Sequence, residues 1–298
     1  MWLPRRPVLT LLAAAMACAV PGGAGHAAAG PPSSAGRGGG PFPGAPPAGG
    51  GGRERPTIVL LHGAFTDASI WQDVTAVLQR RGHQVLATTN PLRGLDSDSA
   101  YVDSVLDHVA GPAILVAHSY GGAVSTNVTV RPGLRALVYV AASAPAKGEL
   151  FGVPGAGPGA GAEGDYVRVP YTEPDGSTGT EIYVRREVFA DTVTGPDVPA
   201  WRSAAMAVSQ RPIDSDAVEA ESKREAWRSL PSWFLIPGRD RVLSPESQRF
   251  MAERAGGVIR EVDAAHAVML THPRTVADLI EEAALATARA PAEGTVGR

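Results

Sequence analysis

The sequence predicts an α/β domain: a mainly parallel central sheet with helices on both faces and a cap insertion at about residues 145–228. Three observations predict it. From Pro56 onward, apolar runs of strand length alternate with longer runs whose apolar residues recur at helical spacing. Runs such as Ile58-Leu61, Ala113-Ala117 and Trp233-Ile236 are continuously apolar, as strands covered on both faces are. The rhythm breaks once, between Ala144 and Trp227, and then resumes.

Thr57-Leu61 is a β-branched and Leu run, followed by Ser69 to Arg81 with Ile70, Val74, Val77 and Leu78 on one helical face and Gly82 as a stop. Gln84-Thr88 then Ser97 to Val109 repeats the unit, and Ala113-Ala117 then Tyr120 to Val130 repeats it again. Leu134-Ala141, Trp233-Ile236 and Val258-Val262 supply further buried-type strands, with helices expected over Ser244 to Ala255 and Pro273 to Ala288. Within the break, Gly152 to Gly164 is rich in Gly and Ala, and Val167-Tyr171 and Glu181-Val184 flank Asp175-Gly176 as a small hairpin. This insertion is expected to lie over the carboxyl edge of the sheet, where α/β folds bind ligands.

The N-terminal part reads differently. Arg5 and Arg6 precede an apolar run from Val8 to Val20, and Ala27-Ala28-Ala29 offers small residues to a signal peptidase. At 13 residues the run is shorter than the roughly 20 a membrane-spanning helix needs. Residues 1–29 are therefore expected to be a cleaved export signal, leaving a secreted or extracytoplasmic protein with no stable membrane span. A twin-arginine signal at Arg5-Arg6, or acylation of Cys18 in Ala15-Met16-Ala17-Cys18, are the variants of this reading. From Gly30 to Gly52, 16 of 23 residues are Gly or Pro. Such a segment buries too little apolar surface to offset its ordering entropy, so residues 30–55 read as a disordered tether. Residues 56–290 are the folded domain and 291–298 a flexible tail.

Composition excludes several functions. The 298 residues carry a net charge of -3 with no basic stripe, which argues against a nucleic-acid partner. Cys18 is the one cysteine, so the mature chain has no disulfide, no Cys-ligated metal and no thiol nucleophile. No His-x-x-x-His or Glu-x-x-His spacing appears, and no metal or cofactor is expected.

Chemistry is concentrated in Ala117-His118-Ser119-Tyr120-Gly121-Gly122. A Ser between a buried strand and a helix, with small residues two before and two after, suits a sharp strand-to-helix turn that exposes Oγ. At the end of the first strand, Leu60-Leu61-His62-Gly63-Ala64-Phe65 can aim a backbone N–H at a developing oxyanion, with the Tyr120 N–H as second donor. Later, Ile236-Pro237-Gly238-Arg239-Asp240 places a carboxylate after one strand and Asp263-Ala264-Ala265-His266 an imidazole after the next. The order Ser119, Asp240, His266 is one that nucleophile, acid and base follow on this architecture. Asp263 is the reserve acid, too close along the chain to wrap round His266 easily. His118 is expected to point away from the Ser119 side of the turn, and His62 to be a structural hydrogen-bonder. His83, His108 and His272 have no partner pattern.

From about Arg55 to Ala288 the chain resembles the serine-dependent α/β-hydrolase superfamily. Within it the resemblance is to small bacterial esterases carrying His-Gly-Ala-Phe (His62 to Phe65), Gln-Arg-Pro (Gln210 to Pro212) and His-Ala-Val-Met (His266 to Met269). The resemblance implies Ser119 as nucleophile, His266 as base, Asp240 as orienting acid, and the N–H groups of Phe65 or Ala64 and of Tyr120 as the oxyanion hole. It implies a small-molecule ester substrate. Phe65, Trp71, Tyr120 and Trp201 suggest an apolar pocket, with Phe65 and Tyr120 as substrate contacts and Trp71 equally a core residue. The same scaffold also hosts non-catalytic binding proteins, lyases and perhydrolases. Cyanohydrin lyases of this kind carry a Lys directly after the His, where this chain has Ala267.

N-terminal sequencing of protein exported from its host is expected to read a start between Ala28 and Gly30; an intact Met1 on the exported species contradicts the export reading.

Overall fold

The computed structural model describes residues 55–151 and 163–288. The expected export signal, tether and tail, and most of the Gly/Ala-rich stretch from Gly152, lie outside the described residues. Six strands form one sheet: β1 (Thr57–Leu61), β2 (Val85–Thr88), β3 (Ala113–Ser119), β4 (Leu134–Ala142), β8 (Ser232–Pro237) and β9 (Val258–Val262). Their order is β2-β1-β3-β4-β8-β9, and every pairing is parallel.

Both faces of the sheet are covered along its central strands, which explains the apolar runs of β1, β3 and β8, whereas edge strand β9 exposes Arg260 and Glu261. Along β3, Ala113, Leu115 and Ala117 pack with residues of α2 (Leu95–Asp107), α3 (Tyr120–Asn127) and α6 (Pro245–Arg254). Ile114 and Val116 point the other way, into a second core with α1 (Gln72–Arg80), α7 (Val268–Thr271) and α8 (Pro273–Ala288). The period-two alternation of a strand thus feeds two cores. Expected and observed helix limits differ by a few residues. The expected single helix from Ser69 begins as a 3-10 turn, Ala68–Trp71, whose cap is the Asp67 carboxylate accepting from the Ser69 N–H at 2.7 Å. Helix α3 stops at Asn127 rather than Val130, where Val128 turns extended.

Between β4 and β8 the chain builds a second, antiparallel sheet of β5 (Tyr166–Thr172), β6 (Thr178–Val184) and β7 (Ile213–Asp214), with α4 (Ala200–Ser209) and α5 (Ser215–Glu219). The Asp175-Gly176 hairpin sits where the sequence places it, Gly176 taking a φ of +89°. Gln210 latches this region together. Its side-chain amide accepts from the Val184 N–H and donates to the Val184 and Ala207 carbonyls, each at 2.9 Å. The Arg202 guanidinium reaches Asp73 on α1 at 2.9 Å, and Asp214 donates its N–H to the Leu92 carbonyl at 2.9 Å. Among the described residues no helix is long and apolar enough to cross a membrane.

Two features of the sheet fix where a ligand can sit. β1 is flanked by β2 on one side and β3 on the other, so the chain reverses its direction of travel across the sheet between β1 and β3. At the carboxyl ends of those strands the backbones crowd. A Cβ on Gly63 would lie 2.6 Å from the Ser119 Cβ, one on Gly121 2.8 Å from the His62 carbonyl, and one on Gly122 2.3 Å from the Ser143 carbonyl.

Gly122→Ala is therefore expected to lower the unfolding free energy by about 1–3 kcal/mol, the usual cost of forcing atoms into a packed interior, as read from urea denaturation. An unchanged midpoint would show that α3 has room against β4.

Candidate active site

Ser119 is the last residue of β3 and the residue before α3, with φ 54° and ψ −125°. A non-glycine residue at positive φ is strained by about 1–3 kcal/mol and persists only where its surroundings over-determine it. Here they do: the β3–β4 register slips between His118 and Ser119, and the Ser143 N–H caps the Ser119 carbonyl at 3.2 Å. The Ser119 side chain stands on the wall of a cavity of about 710 Å³, part of it open to solvent, that His266 also lines.

Asp240 follows β8 and His266 follows β9. The parallel pairing continues past the strand ends through Gly238 N–H to the Val262 carbonyl (2.8 Å) and Arg239 N–H to the Ala264 carbonyl (2.9 Å), so the two loops run side by side. His266 Nδ1 and Asp240 Oδ2 meet at 2.8 Å, with the Asp240 side chain fully buried. Its Oδ1 accepts the N–H groups of Val242 (2.8 Å) and Leu243 (3.0 Å), and its Oδ2 also accepts from Gln248 Nε2 at 2.8 Å. Asp263, the reserve acid, is exposed and paired with Arg239 Nε at 2.5 Å. The structure thus brings Asp240, not Asp263, to His266.

Phe65, in the turn after β1, also takes a positive φ (61°) and lines the cavity with Ala64. Neither the Ala64 nor the Phe65 N–H has an acceptor among the described residues. His62 fixes that turn from beneath. Its Nδ1 donates to the Gly63 carbonyl (2.8 Å), while its Nε2 accepts the Asn90 N–H (2.9 Å). Burial is the main reason its pKa falls to about 4, and the nearby Arg211 charge adds to the effect. His62 is a neutral structural group, as expected.

Other expectations need correction. Tyr120 does not reach the cavity as a side chain. It is fully buried, its hydroxyl donates to Asp98 Oδ2 at 2.8 Å and its ring packs edge-on to Phe151. The helix starts at Tyr120, so its side chain turns into the core beside α2, and only the backbone N–H remains available to a ligand. Trp201 is 74% exposed and Trp71 is fully buried in the core, so of the four aromatic residues Phe65 alone lines the cavity. His118 does leave β3 on the face opposite the Ala117 side, beside Trp71. It is nonetheless part of the site, because the His266 loop comes round to that face. The two imidazoles lie 4.6 Å apart between centroids, and His118 Nε2 donates to the His266 carbonyl at 3.3 Å. Burial, reinforced by repulsion from His266, holds the His118 pKa well below the usual range, so it is neutral.

Sequence reading did not find Gln248, the amide that fixes Asp240. A signal existed, since Gln248 shares the buried stripe of α6 with Met251 and Ala252, and a polar residue there needs a partner. The remaining described histidines stay outside the site: His83 pairs with Glu281, His108 with the Ser104 carbonyl and His272 with the Thr271 hydroxyl. Among the described residues no cluster of His, Asp and Glu is arranged to hold a metal ion.

The model of the alpha/beta hydrolase family matches residues 58–279. The chain belongs to that family. A carbendazim hydrolyzing esterase of Nocardioides sp. (strain SG-4G) is 35% identical over 105 residues, 30% of this chain, and the match spans 43% of that relative's length. Among solved structures, a pyrethroid hydrolase from Sphingobium faniae JZ-2 superposes with a TM-score of 0.59 at 21% identity, covering 80% of this chain and 99% of that one. A methylesterase from Arabidopsis superposes at 0.63 with 17% identity, covering 76% and 98%. At such identities the superpositions speak for a shared fold.

The neutral state of His62 has a consequence for stability. Its folded pKa lies below its unfolded one, so its contribution is complete above about pH 6.5 and is lost as pH falls toward about 4. A fall from pH 7 to pH 5 is expected to cost about 2 kcal/mol from this residue, measurable as a lower urea midpoint. Equal midpoints at the two pH values would mean that His62 accepts a proton in place.

Proposed function

We propose that this family member is a serine-dependent carboxylic ester hydrolase that works through an acyl-enzyme. The observation that carries the reading is the constellation itself: Ser119 at a positive-φ strand-to-helix turn and a His266 imidazole buttressed by a buried Asp240, both bordering one cavity. The named esterases and hydrolases among its relatives and fold neighbours support the reaction class.

In this mechanism the Ser119 Oγ attacks the ester carbonyl while His266 Nε2 takes its proton. Asp240 holds Nδ1–H, which keeps the imidazole in the tautomer whose Nε2 is basic, and it stabilises the imidazolium that forms. The carbonyl oxygen becomes an oxyanion held by the Tyr120 N–H and that of Phe65 or Ala64, where one donor is typically worth about 2.7–4 kcal/mol of barrier. Collapse expels the alcohol, which takes the proton from His266. Water then attacks the acyl-enzyme by the same steps, releasing the acid and restoring Ser119. No cofactor takes part.

Phe65, Phe151, Ile182, Val193 and Ile213 on the cavity wall favour small to medium apolar substrates. Ala267 after the base gives a departing cyanide no charge partner, and an unpaired anion in an apolar setting costs several kcal/mol. Together with the N-terminal segment, the reading is of an enzyme acting outside the cytoplasm.

With p-nitrophenyl esters of graded chain length, Ser119→Ala and His266→Ala are each expected to lower turnover about 10⁴-fold or more, and Asp240→Asn by about 10³ to 10⁴. The same preparation should release no cyanide from mandelonitrile. Cyanide release that depends on Ser119, without ester hydrolysis, would replace the esterase by a lyase; a Ser119 that no fluorophosphonate labels would point to a binding protein.

A further inference from the structure

The β5–β6 hairpin separates its charges by face. β5 pairs with β6 so that Arg168 stands opposite Ile182, and Val169 opposite Glu181. Alternation then puts Tyr166, Arg168 and Ile182 on one face, joined by Ile213 across β7, and these four line the cavity. The opposite face carries a closed polar network. Arg93 pairs with Glu181 at 2.8 Å and lies over the Tyr171 ring, the Tyr183 hydroxyl donates to Glu181, and the Tyr171 hydroxyl donates to Asp214. Every acid of the sheet that faces that network is already engaged by it.

Arg168 has no such partner. Among the described residues no carboxylate, hydroxyl or carbonyl accepts from its guanidinium, and no Asp or Glu lines the cavity. It is the one permanently charged side chain on the cavity wall among those residues, since the two lining histidines are the neutral His118 and the base His266. Arg168 is exposed, whereas Ser119 on the wall of the same cavity is buried. A rigid fork of N–H donors on the wall of a cavity that has no carboxylate of its own suits a planar anion better than a neutral group.

We propose that Arg168 makes the mouth of this cavity a carboxylate subsite, so that preferred substrates are esters carrying a carboxylate at the end remote from the scissile bond. The inference rests on the esterase reading above and deepens it. Ser119 would attack the ester carbonyl while the distal carboxylate lies against the Arg168 guanidinium, with the apolar wall between them covering the connecting chain.

The test pairs p-nitrophenyl hexanoate with the mono-p-nitrophenyl ester of adipic acid, equal in chain length and different in the terminal charge. Arg168→Gln is expected to lower kcat/KM for the adipate half-ester about tenfold and leave the hexanoate within about twofold, the range of a partly exposed charge-assisted pair. Arg168→Lys should keep part of the preference, and added salt should weaken the half-ester alone. Equal effects of Arg168→Gln on both esters, or none on either, overturn the subsite. Hexanoate turnover reports separately on the esterase reading. Should neither ester turn over, calorimetric titration of monomethyl adipate into Ser119→Ala and into Ser119→Ala with Arg168→Gln decides the subsite alone: about tenfold weaker binding in the second supports it, and equal binding overturns it.

Discussion

The turn at Ser119 is the constraint on which the rest of the site depends. A φ of 54° lifts Oγ off the sheet, but only because neighbouring backbone lies close enough to hold the strained residue in place. That closeness requires the missing side chains of Gly63, Gly121 and Gly122, each of whose Cβ positions falls within 2.8 Å of another atom. The same approach stacks the turn after β1 against the start of α3. The crossing of the chain between β1 and β3 supplies the crevice, and the glycines let the crevice close onto the serine.

A second constraint positions His266. His266 has no regular element of its own; it sits in the loop between β9 and α7. Its position derives from β8 and β9 continuing to zip beyond their ends, and from an Asp240 carboxylate that is itself held by two backbone N–H groups and the Gln248 amide. A buried carboxylate held by several donors keeps its direction toward His266, whereas the exposed Asp263 is turned to Arg239 instead.

The sheet was legible in the sequence because its central strands are buried on both faces and most of its helices bury one stripe. Thr57-Leu61 and Val258-Val262 lie at the residues expected, and the Asp175-Gly176 turn identifies its hairpin through glycine chemistry alone. Helix α4 was not legible for a matching physical reason: it buries Ser203 and Ala207 and exposes Trp201 and Val208, so its hydrophobic period is inverted. At the site, spacing after strands located Ser119, Asp240 and His266, but side-chain direction was out of reach. Tyr120 turns inward because α3 starts at that residue. His118 joins the site because a loop 148 residues away returns to its face. Neither fact has a local signature.

His118 also bears on the charge that the proposed mechanism places on His266. Two imidazolium rings with centroids 4.6 Å apart would repel by about 4 kcal/mol at an effective dielectric near 20. Such repulsion would raise the cost of protonating His266 at the moment Ser119 loses its proton. Full burial among Trp71, Gly63 and the His266 loop removes the water that a charged His118 would need, so the ring stays neutral and acts as a hydrogen-bond donor to the His266 backbone. The arrangement leaves the positive charge one place to go, the ring that faces Asp240. In the proposed mechanism the imidazole adjacent to Ser119 in sequence thus supports His266 by remaining uncharged, and burial is what keeps it so.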